Sequence, residues 1–471
     1  MKKVYIIAAT TILAASCTKY LDVKPRGYDV PSTVEQFSGL IYGQDYFYLD
    51  EVFEFMSFEF TTDAEGYKKA YSEMGSDVCN AYRWQKDIFL QDQASGEWNS
   101  PTSYLYGLNV VVNEVDGATN GTSEQKKAIK AEARVLRAWL HFMMAQCFGL
   151  PYDPTTAASD RCIPIIDKAA TVGAQFPMRS VKEVYDFILR EMQESIPDLA
   201  DEEEHFLRVF KPTGQAMLGK VLWTMGRYAE ALPLLSEALK GALEKGRSLL
   251  DFNTIVTAEG TLDYPTDMSA HPEYLFQYAS MARLMPAVYA TLYNTALFPI
   301  REDVLFHYFK AGDIRLASLV DVKSGKTAYT SFKTGVSYAP NTGNMISNFG
   351  IGLPDLYLMC AECLARAGKD SEALALLKEF RACRMDAASA GAVSGDLVVA
   401  AVEERMREFI GFGNTWFDTR RLWDDPKFQY MKDYYTRTDG TDDYTLTKER
   451  LAMEIPPQIL SWHPEYSNFN Q

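Results

Sequence analysis

GQAMLGKVLWTMGRYAEALPLLSEAL (residues 214–239) and LYLMCAECLARAGKDSEALALLKEF (residues 356–380) are two copies of one pattern. An offset of 142 residues aligns Gly219 with Ala361, Leu222 with Leu364, Gly226 with Gly368, Glu230 with Glu372, Ala231 with Ala373, Leu232 with Leu374 and Leu235 with Leu377. Apolar residues recur at helical spacing on both sides of the aligned glycine. Two antiparallel helices approach closely only where the crossing residues are small, and the turn between them favours a glycine in a left-handed C-cap. Large apolar residues then fill the next groove. Each copy therefore reads as a helical hairpin.

This pattern resembles the tetratricopeptide unit, whose repeats stack side by side and bury a shared core. Around it the same periodicity predicts further helices. SEQKKAIKAEARVLRAWLHFMMAQCFG predicts one over about 124–148, with Ser123 as its cap. VKEVYDFILREMQESI predicts another over 181–196. Two helices over 213–241 meet at Gly226, with Thr213 as N-cap, and the pattern repeats over 354–383. DLVVAAVEERMREFIGF predicts a charged amphipathic helix over 396–412. Strand-like alternation is scarce. The stretches 42–60, 251–350 and 425–455 are rich in Gly, Pro, Asn, Thr and aromatics and read as long ordered loops with short hairpins. Loops of that length in a compact protein are usually functional. The predicted fold class is mainly α: tetratricopeptide-like helical hairpins forming a scaffold, with long loops and a few short β-hairpins.

The N-terminus reads as an export signal. Lys2 and Lys3 form a basic start, Val4–Ala15 is an apolar run too short to span a bilayer, and Ala14, Ala15 and Ser16 are small. Cys17 follows at once, so residues 1–16 are read as a signal peptide and Cys17 as the site of lipid attachment. Leu13 stands four residues before the cysteine, where the usual lipobox has its leucine three before. Residues 17–471 are read as a single domain carrying the three loop-rich insertions. The net charge of −16 becomes −18 once Lys2 and Lys3 are removed, which disfavours nucleic acid and a polybasic membrane contact.

Cys360 and Cys363 form a CxxC inside a predicted helix, with no second CxxC or HxxxH, and are read as small buried thiols. Five histidines are present, and His141 sits on the periodic helix beside Trp139 and Phe142, where packing is the favoured role. No HExxH, GxSxG, P-loop or GxGxxG occurs. Carboxylate pairs such as Glu403/Glu404 and Asp424/Asp425 are too common in an acidic chain to mark a glycosidase, which needs two facing each other across a cleft. Glu404, Arg405, Glu408, Asp418, Arg420 and Arg421 are read as an ion-pair network beneath the helices. No cofactor, catalytic residue or metal ligand is assigned.

Six blocks in order carry a resemblance to SusD/RagB-type nutrient-binding lipoproteins. They are CTKYLDVKP; AEARVLRAWLHFMMAQCFGLPY, with its Leu-Arg-Ala; PTGQAMLGKVLWTMGRYAEAL; LPDLYLMCAECLARAG; VEERMREFIGFGNTWFDTRRLW; and MEIPPQILSWHPEYSNFNQ. His463 replaces the common Asn before Pro464, and Thr18, Lys19 and Tyr20 stand where the family's export signal carries acidic residues. The resemblance implies a palmitate-type lipoprotein of the outer membrane at the cell surface, lying over a TonB-dependent SusC-type barrel. It would present oligosaccharide, or peptide in some members, for uptake and would not be an enzyme. A protein-only tetratricopeptide-like scaffold and a surface hydrolase are the other readings.

Sugar binding needs aromatic faces for the apolar side of a pyranose and Asn, Asp, Gln or Arg for its hydroxyls. Three predicted loop regions hold candidates: Asp77, Asn80, Tyr82, Arg83 and Trp84; Tyr289, Tyr293 and Asn294; and Tyr329, Phe332, Tyr338, Asn341, Asn344 and Asn348. Core packing is the alternative for each aromatic. It is the preferred reading for Trp98, Tyr104 and Tyr106, where the apolar spacing is helical. The aromatic-rich 42–60 stretch is a further binding candidate, or a contact for the barrel.

Overall fold

The computed structural model describes residues 31–42, 48–49, 52–169, 174–201, 208–256, 271–276, 279–280, 297–316, 347–411 and 413–469. Its principal helices in chain order are α1 (Val34–Tyr42), α2 (Ala64–Glu73), α3 (Ser76–Tyr82), α4 (Gly96–Glu114), α5 (Ser123–Phe148), α6 (Val181–Ser195), α7 (Lys211–Thr224) and α8 (Tyr228–Glu244). They continue with α9 (Leu353–Arg366), α10 (Asp370–Ala382), α11 (Leu397–Phe409), α12 (Asn414–Leu422) and α13 (Pro457–Trp462). The fold is mainly α. The strands among the described residues are two to four residues long, and most pair antiparallel, as in the hairpin Thr436–Thr438 with Asp443–Thr445.

The internal repeat is reproduced down to its hydrogen bonds. Gly226 and Gly368 end α7 and α9 with φ of +74° and +70°. Arg227 N–H donates to Leu222 O at 2.9 Å, and Lys369 N–H donates to Leu364 O at 2.9 Å. A left-handed glycine with this six-residue closure is the Schellman ending, and a side chain at that φ costs about 1–2 kcal/mol. At the crossing point, a Cβ on Gly219 would lie 2.7 Å from Leu235 Cδ2. The counterpart Ala361 is fully buried with its methyl in place. α7 packs on α8, α9 packs on α10, and α9 also contacts α8 and α11, so the two hairpins share one core.

A second layer stacks α4 on α5 and α5 on α6. The Arg137 of the Leu-Arg-Ala block ties all three together. It pairs with Glu191 of α6, donates to Asn109 Oδ1 of α4 at 2.9 Å and to Asp167 O at 3.0 Å. Two cap assignments move. Thr122, not Ser123, caps α5 through a reciprocal pair with Gln125, and α7 begins at Lys211, which leaves Thr213 buried inside its first turn.

The charged C-terminal block lies under the helices as an ion-pair layer, as its spacing predicts. Glu404 accepts from Arg315 at 2.5 Å, from Arg381 at 2.9 Å and from Arg407 at 2.8 Å. Arg405 bridges Asp355 (2.6 Å) and Asp418 (2.8 Å). Arg421 bridges Asp418 (2.8 Å) and Glu362 (3.0 Å) and stacks 3.6 Å from the Trp223 ring centre. Trp223 Nε1 donates to Glu362 at 3.0 Å, so this layer fastens the first hairpin to the second. Arg420 is the exception. It has no carboxylate partner among the described residues; it donates to Gly149 O at 2.7 Å, and burial pushes its pKa down to about 10.

Candidate functional site

The 77–84 cluster is not a loop. Asp77, Asn80 and Tyr82 belong to α3, which packs against the hairpin of residues 436–445. Tyr82 is fully buried and its hydroxyl donates to Thr438 O at 2.6 Å. Trp84 adopts a left-handed φ of +51° that turns its ring inward. The ring is 3% exposed, its Nε1 donates to Met56 O at 2.7 Å, and Arg437 lies 3.7 Å from its centre. Neither ring offers a face to a ligand, which corrects the expectation of a stacking platform there. Arg83 is committed to a salt bridge with Asp439 and lies 4.0 Å from the Tyr67 ring centre. Burial works to raise the Asp439 pKa, but the N–H groups of Asp442 and Thr441 and the Arg83 guanidinium hold it below the usual range. Asn80 donates to Ile88 O at 3.0 Å, and Asp77 is buried. Tyr82 and Arg83 brace α3 against the hairpin.

Tyr289, Tyr293, Tyr329, Phe332 and Tyr338, with Asn294, Asn341 and Asn344, lie outside the described residues, as do Cys17 and residues 1–16; so does the side chain of Asn348. In the 42–60 stretch, residues 52–60 are buried core, so Phe53, Phe55, Phe58 and Phe60 face inward rather than toward a ligand or barrel.

The polar groups that could have carried chemistry are held by neighbours. His141 is fully buried. Its Nε2 accepts from Ile166 N–H at 3.0 Å, so Nδ1 carries the proton and donates to Arg137 O at 2.7 Å. Burial lowers its pKa to about 4, and it stays neutral. Glu404 sits among three arginines, while the adjacent Glu403 bonds Tyr430. Asp425 pairs with Arg366 and Asp424 with Lys448. Neither carboxylate pair works as a unit. Cys360 and Cys363 are buried, as expected, and burial pushes the Cys360 thiol up to about 12. Among the described residues no group of three or more His, Cys, Asp or Glu could hold a metal ion, and no helix is long and apolar enough to cross a membrane.

Outward-facing aromatics gather elsewhere. Tyr106 on α4 is 56% exposed and Trp462 at the end of α13 is 62% exposed. Both line a cleft of about 380 Å³. One wall is the α4 face of Asn99, Thr102 and Tyr106, spaced three and four residues apart so that they share a side. Ile459, Trp462 and His463 form another part of the lining. Lys168, Ala174 and Phe176 line the third side. The floor is Trp98, 4% exposed, whose ring lies 5.0 Å from Phe148 and 6.3 Å from Tyr466. Tyr466 donates to Phe176 O at 2.9 Å and stacks under His463 at 4.9 Å, which fixes two walls to each other. Trp98 and Tyr104 are packed as expected, but Tyr106 is not. Two residues along a helix is about 200° around it, so Tyr104 and Tyr106 cannot share one buried face.

The architecture is thus a helical-repeat scaffold with a shaped surface cleft. Residues 19–222 match the family described as starch-binding and associating with the outer membrane, and residues 329–460 match the SusD family. The chain belongs to the SusD/RagB family. A SusD-like protein of Bacteroides ovatus is 23% identical over 222 residues, 43% of this chain and 36% of the relative, so the match spans about a third of that relative's length. A SusD superfamily protein of Bacteroides vulgatus superposes with a TM-score of 0.68 at 19% identity, covering 92% of this chain and 98% of its own. Surface glycan-binding protein A of Bacteroides uniformis gives 0.64 at 16%, with the same coverage. At these identities the structures establish the fold. Neither family match is to a catalytic family.

Proposed function

We propose that the protein is a non-catalytic lipoprotein of the outer membrane that binds oligosaccharide and hands it to a SusC-type TonB-dependent barrel. The observation that carries this reading is the match of residues 19–222 to a starch-binding, outer-membrane-associated family. Residues 1–16 act as the signal peptide, Cys17 carries the lipid and residues 17–471 form one unit. Tyr289, Tyr293, Tyr329, Phe332 and Tyr338 are proposed to add ring faces to the ligand site. The engagement of His141, Glu403, Glu404, Asp424 and Asp425 by structural partners supports the absence of catalysis.

Calorimetry against glycan and peptide panels tests the ligand class. Saturable binding to a glycan with no hydrolysis is expected. Binding to peptides alone overturns the oligosaccharide reading, and turnover of any panel member overturns the non-enzyme reading. Membrane fractionation of cells making Cys17→Ser tests the anchor, with release from the membrane fraction expected. Co-purification of the wild type with a SusC-type barrel tests the hand-off.

A further inference from the structure

We infer that the cleft lined by α4, Lys168, Phe176 and α13 is a carbohydrate-binding site that takes one or more pyranose rings of an oligosaccharide on the faces of Tyr106 and Trp462. The inference rests on the proposed glycan function and goes beyond it, because it puts a site on the scaffold itself rather than on the loops read from sequence.

Three observations converge on it. First, the largest aromatic exposures among the described residues are Trp462 at 62% and Tyr106 at 56%, and both open on this one cleft. Exposed aromatic faces on a stable monomer leave apolar surface in water, and a pyranose covers such faces with its own C–H groups. Second, the walls carry hydrogen-bonding groups without a carboxylate. In a chain with 63 Asp and Glu among 471 residues, the lining holds none, and one cation, Lys168. Among the described residues no hydrogen bond engages the side-chain amide of Asn99, and Lys168 makes no salt bridge. Asn99 therefore offers two donors and an acceptor, and Lys168 three donors, to sugar hydroxyls and ring oxygens. Third, the cleft is rigid at its base. The packing of Trp98 on Phe148 and the bond from Tyr466 to Phe176 O hold the walls in place before any ligand arrives. A volume of about 380 Å³ sits at the small end of pre-formed ligand clefts.

Lys168 is exposed, so its charge is screened and adds little for an acidic sugar over a neutral one. Stacking on the exposed ring faces selects the ligand, which is a pyranose-rich glycan rather than an anion.

The test uses the full chain and malto-, xylo-, manno- and galacturono-oligosaccharides in calorimetry. Trp462→Ala and Tyr106→Ala each weaken binding of the glycan that the wild type takes by about tenfold, the loss expected for one stacking partner. Trp462→Phe keeps a ring and retains most of the affinity. It also loses most of the tryptophan fluorescence change that the glycan produces. Melting temperatures stay within the wild-type range, since both side chains lie on the surface. If Trp462→Ala and Tyr106→Ala bind like the wild type while Tyr289→Ala or Tyr338→Ala abolishes binding, the cleft is not the site and the glycan function stands. If these two substitutions weaken only capture by a purified barrel, the cleft is a protein interface and the inference fails. If the wild type binds no panel member, inference and function fall together.

Discussion

Replacing Glu404 by Gln tests the charged layer that fastens the hairpins together. Glu404 is fully buried and is the common partner of Arg315, Arg381 and Arg407. Burial alone raises its pKa; the guanidiniums, Arg315 foremost, outweigh that and hold it far below the usual carboxylate range. Removing one member of a buried pair costs about 3–5 kcal/mol, because the remaining charge stays buried without compensation. The lower end applies here. Arg315 keeps Asp313 and Glu408, Arg407 keeps Tyr308 O, and Gln still accepts one bond. At roughly 2.1 cal/mol/K per residue, 471 residues melt with an entropy of about 1 kcal/mol/K, so Glu404→Gln lowers Tm by about 3 °C. The sign with pH follows from the depressed pKa. Stability supplied by the ionised carboxylate is complete above the unfolded pKa of about 4.3 and is lost as pH falls toward the folded value. The gap between wild type and Glu404→Gln is therefore constant from pH 7 to pH 5. Below about pH 4.3 it closes by about 1.4 kcal/mol per pH unit. Calorimetric melts of both proteins across this range measure it. A Tm gap below about 1 °C at pH 7, or a gap that does not narrow in acid, refutes the assignment of Glu404 as the hub.

Glu59 runs the other way, since burial raises its pKa to about 7 despite its bonds to Thr415 and Gly411. The unfolded chain ionises first, so wild-type stability falls between about pH 4.5 and 7, and urea melts should show Glu59→Gln gaining roughly 3 kcal/mol on the wild type across that window; a pH-independent difference refutes it. Trp84→Ala costs about 3–5 kcal/mol by emptying a buried ring site, yet glycan affinity of the folded fraction in calorimetry stays at the wild-type value. Gly219→Ala drives a methyl into Leu235 and costs about 1–3 kcal/mol in a denaturant melt, whereas Ala361→Gly at the matching position costs about 1 kcal/mol. The thiols of Cys360 and Cys363 resist a disulfide reagent in the native protein and react on denaturation; prompt native labelling at either position contradicts their burial.

The helical repeat was legible because it depends on local rules. A glycine at a left-handed turn and a small residue at a crossing leave a signature in residue types alone, and Gly226, Gly368 and Gly219 each occupy the place their spacing predicts. The ion-pair layer was legible in part. Alternating charges on a buried helix must find partners, and Glu404, Arg405, Glu408, Asp418 and Arg421 do. Arg420 does not, because its place beside Gly149 is set by a contact 271 residues away that periodicity cannot reveal. The α3 segment looks like a loop in sequence for a similar reason. Its seven residues carry no clear helical repeat, and packing against the 436–445 hairpin, more than 350 residues downstream, holds it helical.

The site candidates fail or survive on exposure, which residue type does not encode. Trp84 and Trp462 are the same amino acid in similarly aromatic surroundings. One is turned into the core by a left-handed backbone and a carbonyl 28 residues back, and the other stands exposed at the end of a six-residue helix. Tyr106 could have been found in advance. Tyr104, Leu105, Leu108 and Val112 already supply the buried side of α4, and a residue about 200° from Tyr104 must face outward unless the helix is enclosed. Asn99 and Thr102 on the same outward side as Tyr106 make that face amphipathic in a particular way, aromatic at one end and amide at the other. Such a face suits a sugar better than a protein core. The charged layer beneath the helices is what allows it, since a scaffold fastened from within can leave large rings on its surface without using them to hold the fold together.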